Sequence, residues 1–247
     1  MYPTLDLGPL MLPTGSLSTI LAGWLFLALG ARQATRRGAN GDHVYNAGFY
    51  GLLAGIIGGR ITHALRYWEA YADQPTLLIS LNPAAIALTE AVLVGLFAAW
   101  RYLRRQGVSL LPLLDALAPG AALSLALISL GQFFSGDAFG TLSSAPWAVR
   151  LWEAERHPVQ LYQTIACLII AAWLWRGRDA GRRAGWQAIQ FLFLYAVSRL
   201  FLDAFRADVG LLPGGLRGTQ VAALVTALIA LALAYLRLEP EAPRPAE

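Results

Sequence analysis

The segment YAVSRLFLDAFR, from Tyr195 to Arg206, sets two guanidinium groups and a carboxylate within an otherwise apolar run. Arg199, Asp203 and Arg206 are spaced four and then three residues apart, which predicts one shared helix face. The preceding run, from Trp186, carries no charge and reads as a membrane span. A charge inside a bilayer costs roughly 2.5–3.5 kcal/mol on insertion scales, so each one needs a partner or a task. A fixed guanidinium near the outer half of a membrane suits the phosphate of a lipid. Asp203 can neutralise one arginine as an intrahelical pair. One positive charge is then expected to be left over at that end.

Three further polar groups stand in apolar surroundings. Arg60 sits in GGRITH, where Gly58 and Gly59 would admit a close neighbouring helix. It is either paired with Glu90, expected at a similar depth, or a second ligand for an anionic headgroup. His157 and Pro158 open HPVQLYQ, with proline at an expected helix start. There Gln160 and Gln163 are amides that want partners in hydrocarbon. Tyr162 and His157 also fit a plainer reading, an aromatic belt at a capped helix. GQFFSGDAFG, from Gly131 to Gly140, gathers three glycines around Asp137. Irregular backbone at membrane depth survives only under protein or beside a wet cavity, so this stretch is a site or a re-entrant turn. There is no HExxH, CxxC, Walker loop or G-x-S-x-G, which leaves metal, nucleotide and serine-hydrolase chemistry without support.

The elements that must position these groups follow from hydropathy. Of 247 residues, 57% are hydrophobic and only 14% charged, where a soluble domain carries about a quarter. The fold class is all-α, a polytopic membrane protein with about seven spans: 15–31, 44–68, 84–103, 113–130, 160–175, 186–205 and 220–236. All 19 basic residues are arginine, and the net charge is +4. Twelve of them fall in one set of loops, which puts the N-terminus outside and the C-terminus in the cytoplasm. The arginines are scattered between apolar spans, so no nucleic-acid partner is expected. The N-terminus lacks a basic region and a clear cleavage site, so the first span is expected to be retained. Residues 1–238 are expected to form a single membrane domain, and 239–247, EPEAPRPAE, a disordered cytoplasmic tail. The segment 131–157 is expected as a long outward loop, with Trp147 and Trp152 at the interface. The lone Cys167 excludes an internal disulfide.

Together these stretches resemble the prolipoprotein diacylglyceryl transferase family, in the same order along the chain. GGRITHALRYW is similar to the family's glycine–arginine segment, and GQFFSGDAFG to its Gly-Asn-Phe-x-Asn-Gly-Glu-x-x-Gly signature. HPVQLYQ looks like its His-Pro-Ser-Gln-Leu-Tyr-Glu, and YAVSRLFLDAFR like its Tyr-Gly-x-x-Arg-(x)3-Glu-x-x-Arg. The resemblance implies transfer of the diacylglyceryl group of phosphatidylglycerol to the lipobox cysteine of a preprolipoprotein, in the bacterial inner membrane. It implies no metal and no soluble cofactor. On this reading Arg199 and His157 are the catalytic candidates, and Arg60, Gln132, Asp137, Gln160, Tyr162 and Arg206 bind substrate.

The chain also departs from the family pattern. Asn82 or Pro83 stands where the resemblance implies a histidine, and Ser129 where it implies an arginine. Asparagine cannot serve as a base, which leaves His157 and His63 as the imidazoles that could replace it. These losses favour the alternative reading, a non-catalytic relative that binds anionic phospholipid or a lipopeptide. A small transporter is a third reading, but the polar residues gather toward the outer side and lay no path across the bilayer.

Overall fold

The computed structural model describes residues 3–8, 10–79, 85–177 and 183–238. Asn82, Pro83 and the expected tail 239–247 lie outside them. A short hairpin of β1 (Thr4–Leu7) and β2 (Leu10–Pro13) leads into α1 (Thr14–Arg36), α2 (Asp42–Arg66), the small α3 (Trp68–Asp73) and α4 (Leu88–Arg105). Then come α5 (Leu110–Ser135), a second hairpin of β3 (Val149–Leu151) and β4 (Ala154–Arg156), α6 (Val159–Arg176), α7 (Trp186–Leu202) and α8 (Gly218–Leu238).

The helical class is as the apolar runs predict, with two small hairpins added. α1, α5, α6, the stretch Trp186–Phe205 and Gly218–Leu236 of α8 are long and apolar enough to cross a membrane, with mean hydropathy of 1.2–2.0. α2 and α4 fall on two more expected spans but outside that group of five. Their polar residues explain it: α2 carries Asp42, Arg60, His63 and Arg66, and α4 carries Glu90, Arg104 and Arg105. Large side chains such as Ile20, Trp24, Leu228 and Ile229 face outward, while Ala22, Ala122, Ala223 and Ala230 are buried. Small residues inside and large apolar ones outside suit helices that meet one another in lipid.

The chain forms two compact units, Met1–Gly30 with Leu114–Glu247, and Ala31–Leu113. In the first, Ala118 and Ala122 of α5 pack with Ile170, Ala171 and Leu174 of α6, and Phe191, Leu194 and Tyr195 of α7 close over them. The start of α7 is capped from a distance. Gly185 precedes the helix at φ 91° and offers no side chain, and the buried Asp115 of α5 supplies the acceptor. The Gly185 and Ala188 amides donate to its two carboxylate oxygens at 2.6 and 2.9 Å. A carboxylate at a helix N-terminus satisfies exposed amides and complements the dipole.

In the second unit α2 and α4 lie backbone to backbone. A Cβ on Gly55 would come within 2.8 Å of the Ala91 carbonyl oxygen, and one on Gly95 within 2.7 Å of that of Gly51. The close approach expected of Gly59 is also made, against Ala91 and Ile86. At the other end of this pair, Asn46 donates to the Tyr102 hydroxyl at 3.0 Å, and His43 Nδ1 lies 3.2 Å from the same oxygen.

Candidate functional site at the end of the seventh helix

α7 ends at Leu202, and Asp203–Phe205 tighten into a 3-10 turn. Arg199, on the last helical turn, donates from Nη2 to Asp203 Oδ2 at 2.9 Å. The Asp203 side chain is 1% exposed and Arg199 23%, so the expected intrahelical pair exists and is largely removed from solvent. The second Asp203 oxygen, Oδ1, is buried without a partner among the described residues.

Arg206 does not share that helix face. Its backbone is extended, at φ −83° and ψ 139°, because the 3-10 turn ends the helix before the spacing rule reaches it. It binds Asp208 instead, Nε to Oδ1 at 2.9 Å and Nη2 to Oδ2 at 2.6 Å. This bidentate bond raises the Arg206 pKa against the opposing effect of burial, so its charge is permanent. Of the two arginines that were to share Asp203, Arg206 is held by Asp208 instead, which the helical spacing could not reveal. A third cation, Arg217, turns back from the loop before α8. It donates from Nη1 to the Asp203 carbonyl at 2.8 Å and to that of Ala204. The only sequence signal for it was a lone arginine in a glycine-rich loop.

The stretch 131–157 is less of a loop than expected. Gly131–Ser135 complete α5. The next residues are tied by isolated β-bridges to the end of α7 and to the end of β4, just before α6. Thr141 donates to the Phe205 carbonyl at 2.7 Å, Ala207 to Phe139 at 3.0 Å, and His157 to Thr141 at 3.0 Å. Gly140 allows this meeting, since a Cβ there would fall 2.2 Å from the His157 carbonyl oxygen. Arg156 knits the same segments, donating to the carbonyls of Leu151 and Gly140, each at 3.2 Å, with its guanidinium over the Phe139 ring. The backbone fold thus brings the Asp137 signature, the start of α6 and the Arg206 end of α7 into one neighbourhood.

Within it the expected residues take distinct parts. Asp137 is exposed and accepts from Ser135 Oγ at 2.6 Å. Ala138 follows it at φ 55°, a conformation that costs energy for a residue with a Cβ. Gln160, 3% exposed, donates to the Asp137 carbonyl at 2.7 Å, so this amide holds the signature in place. Gln163 is also buried, and it reaches Cys167 Sγ at 3.2 Å. Gln132 lies on the final turn of α5, partly buried. Pro158 takes the capping position rather than the first helical one, and α6 begins at Val159.

His157 packs against Phe205, with ring centroids 5.1 Å apart at 63°. Its Nδ1 is 3.3 Å from the Tyr162 hydroxyl, which accepts from Trp147 Nε1 at 2.7 Å. In the second unit, Arg60 donates to the Leu77 carbonyl at 2.8 Å, while Glu90 is engaged by Arg66. The acid expected for Arg60 thus serves another arginine. His63 Nδ1 lies 3.0 Å from the Tyr71 hydroxyl. Ser129, where the resemblance implies an arginine, is 6% exposed. Among the described residues no group of three or more His, Cys, Asp or Glu side chains could hold a metal ion.

Chemically, the α7 end offers fixed guanidiniums, carbonyl-rich backbone and partly dry surroundings. Such an arrangement favours an anion with several oxygens. Residues 4–236 match the family described as prolipoprotein diacylglyceryl transferase. A phosphatidylglycerol–prolipoprotein diacylglyceryl transferase of Corynebacterium diphtheriae is 29% identical over 91% of this chain and 88% of its own. Enzymes of the same name from Synechococcus elongatus and Gloeobacter violaceus are 28% and 32% identical, over 90% and 70% of this chain and 83% and 69% of theirs. The chain belongs to the prolipoprotein diacylglyceryl transferase family.

Proposed function

We propose that this chain transfers the diacylglyceryl group of phosphatidylglycerol to the lipobox cysteine thiol of a prolipoprotein. The observation that carries the reading is a family match along nearly the whole chain, with arginines gathered where its signature segments meet. In the reaction the cysteine sulfur attacks the glyceryl carbon that bears the phosphate ester. A carbon–sulfur bond forms, the carbon–oxygen bond breaks, and its electron pair leaves on glycerol phosphate. The thiol proton ends on that product or in water.

Negative charge grows on the phosphate oxygens as the ester bond opens. Fixed donors aimed at developing charge in a dry site act more strongly there than in water. We assign that task to Arg199, with Arg206 holding the headgroup phosphate. Gln132 and Asp137 shape the headgroup side, and Gln160 keeps Asp137 in register. On α2, Arg60 is proposed as a ligand for an anionic headgroup. We read the seven long helices as seven spans of the bacterial inner membrane, N-terminus outside, with residues 1–238 as one membrane domain.

The buried Ser129 favours a second reading, a family member that binds anionic lipid without transferring it. Complementation of a transferase-depleted bacterium separates the two. Wild type is expected to restore diacylglyceryl-modified lipoprotein, while Arg199→Ala at equal membrane abundance is not. A well-expressed wild type that restores no modification sinks the transfer reading and leaves lipid binding.

A further inference from the structure

His157 is a catalytic candidate, and its usefulness depends on which ring nitrogen carries the proton. The hydrogen bonds around the Tyr162 hydroxyl bear on it. An indole only donates, so at 2.7 Å the Trp147 Nε1–H must point at the Tyr162 oxygen. That phenol retains one proton of its own. Among the described residues the acceptor in reach is His157 Nδ1, at 3.3 Å, and an imidazole nitrogen is a good acceptor. With the phenol proton directed at His157 Nδ1, the bonds run from Trp147 to Tyr162 to His157. A neutral imidazole that accepts at Nδ1 carries its proton at Nε2. No protein group among the described residues takes up Nε2, and the ring is only partly buried.

From this geometry we infer that His157 is held as an Nε2–H hydrogen-bond donor rather than a base, with Tyr162 and Trp147 as the positioning residues that set its tautomer. The inference rests on the transfer reading for its substrate: the Nε2–H is offered to a phosphate oxygen of phosphatidylglycerol. It assigns the belt-like Trp147, anchored by its indole to the Tyr162 hydroxyl, a part in the reaction. It also reassigns Tyr162 from substrate contact to support.

Two measurements test it. The first is the nitrogen spectrum of the purified full chain labelled with 15N-histidine. Three histidines make assignment by His157→Gln subtraction feasible. The His157 signals are expected to show Nε2 protonated, and Tyr162→Phe is expected to mix the two tautomers. Nδ1 protonated in wild type overturns the inference.

The second is transfer from phosphatidylglycerol vesicles to a lipobox peptide. A glutamine amide can place a donor near Nε2, whereas an asparagine amide mimics Nδ1. His157→Gln is expected to keep activity within about tenfold of wild type, and His157→Asn to fall by about a hundredfold. Tyr162→Phe is expected to lower kcat severalfold with little change in KM. Equal loss in the glutamine and asparagine variants of an active enzyme overturns the donor role alone. A wild type that transfers nothing, with Nε2 protonated, overturns the transfer reading and leaves the tautomer assignment standing.

Discussion

At the end of α7, arginines meet aspartates that are partly or fully shielded from solvent; along α2 and α4, two helices meet through bare backbone. The first region encloses polarity. Asp203 is 1% exposed against Arg199, and Arg217 is turned onto the Asp203 and Ala204 carbonyls of the 3-10 turn. The second region excludes side chains, since Gly51, Gly55 and Gly95 bring carbonyl oxygens within reach of a single added carbon. Its ion pair, Arg66 with Glu90, is 55% and 30% exposed. The lesson is that two salt bridges in one chain differ in energetic weight through their burial. An exposed pair is screened and adds about 0–1 kcal/mol, whereas leaving one half of a buried pair costs far more.

The largest expected effect breaks the enclosed pair. Asp203→Ala leaves Arg199 without its partner. It is expected to destabilise the protein by about 3–5 kcal/mol and to abolish transfer, read by thermal unfolding in detergent beside an activity assay. A variant as stable as wild type would show that Arg199 finds another anion and that enclosure is not the point.

Next is the bare backbone contact. Gly55→Val is expected to cost about 1–3 kcal/mol, because its Cβ cannot fit beside the Ala91 carbonyl. Gly23→Ala, in α1 where a Cβ meets nothing within 4 Å, is the matched control and is expected to stay within about 0.5 kcal/mol.

Asp115→Ala sharpens the comparison in a region that is neither site nor glycine seam. It strips the acceptor from the Gly185 and Ala188 amides and is expected to cost about 1 kcal/mol of stability. The smallest effect belongs to the exposed pair. Arg66→Gln is expected to change stability by less than about 1 kcal/mol. A loss equal to that of Asp203→Ala would erase the distinction between the two regions.

Much of this architecture was legible before any coordinates. The hydrocarbon thickness fixes how long an apolar run must be, so the helices fell close to the expected spans. The four-residue spacing gave the Arg199–Asp203 pair, and Gly58 and Gly59 gave a close helix contact. Arg206 was misplaced for a local reason: the spacing rule assumes that the helix continues, and nothing in the residue string announces the 3-10 turn at Asp203. Asp208 and Arg217 were missed because their partners depend on how the chain leaves α7 and returns before α8. Of the two readings of Arg60, the pairing with Glu90 is not made, since Glu90 answers Arg66 and depth in a span does not say which neighbour faces it.

By itself, then, the sequence determined the helical class, the order of the long helices and the family resemblance, because hydropathy, helical periodicity and short motifs are local properties. Only the tertiary structure decided which acid answers which arginine, that Asp115 caps a helix 70 residues away, and that Trp147 and Tyr162 lead to His157. Those pairings depend on directed hydrogen bonds of about 3 Å between segments far apart in the chain, and no local property of a sequence encodes such distances.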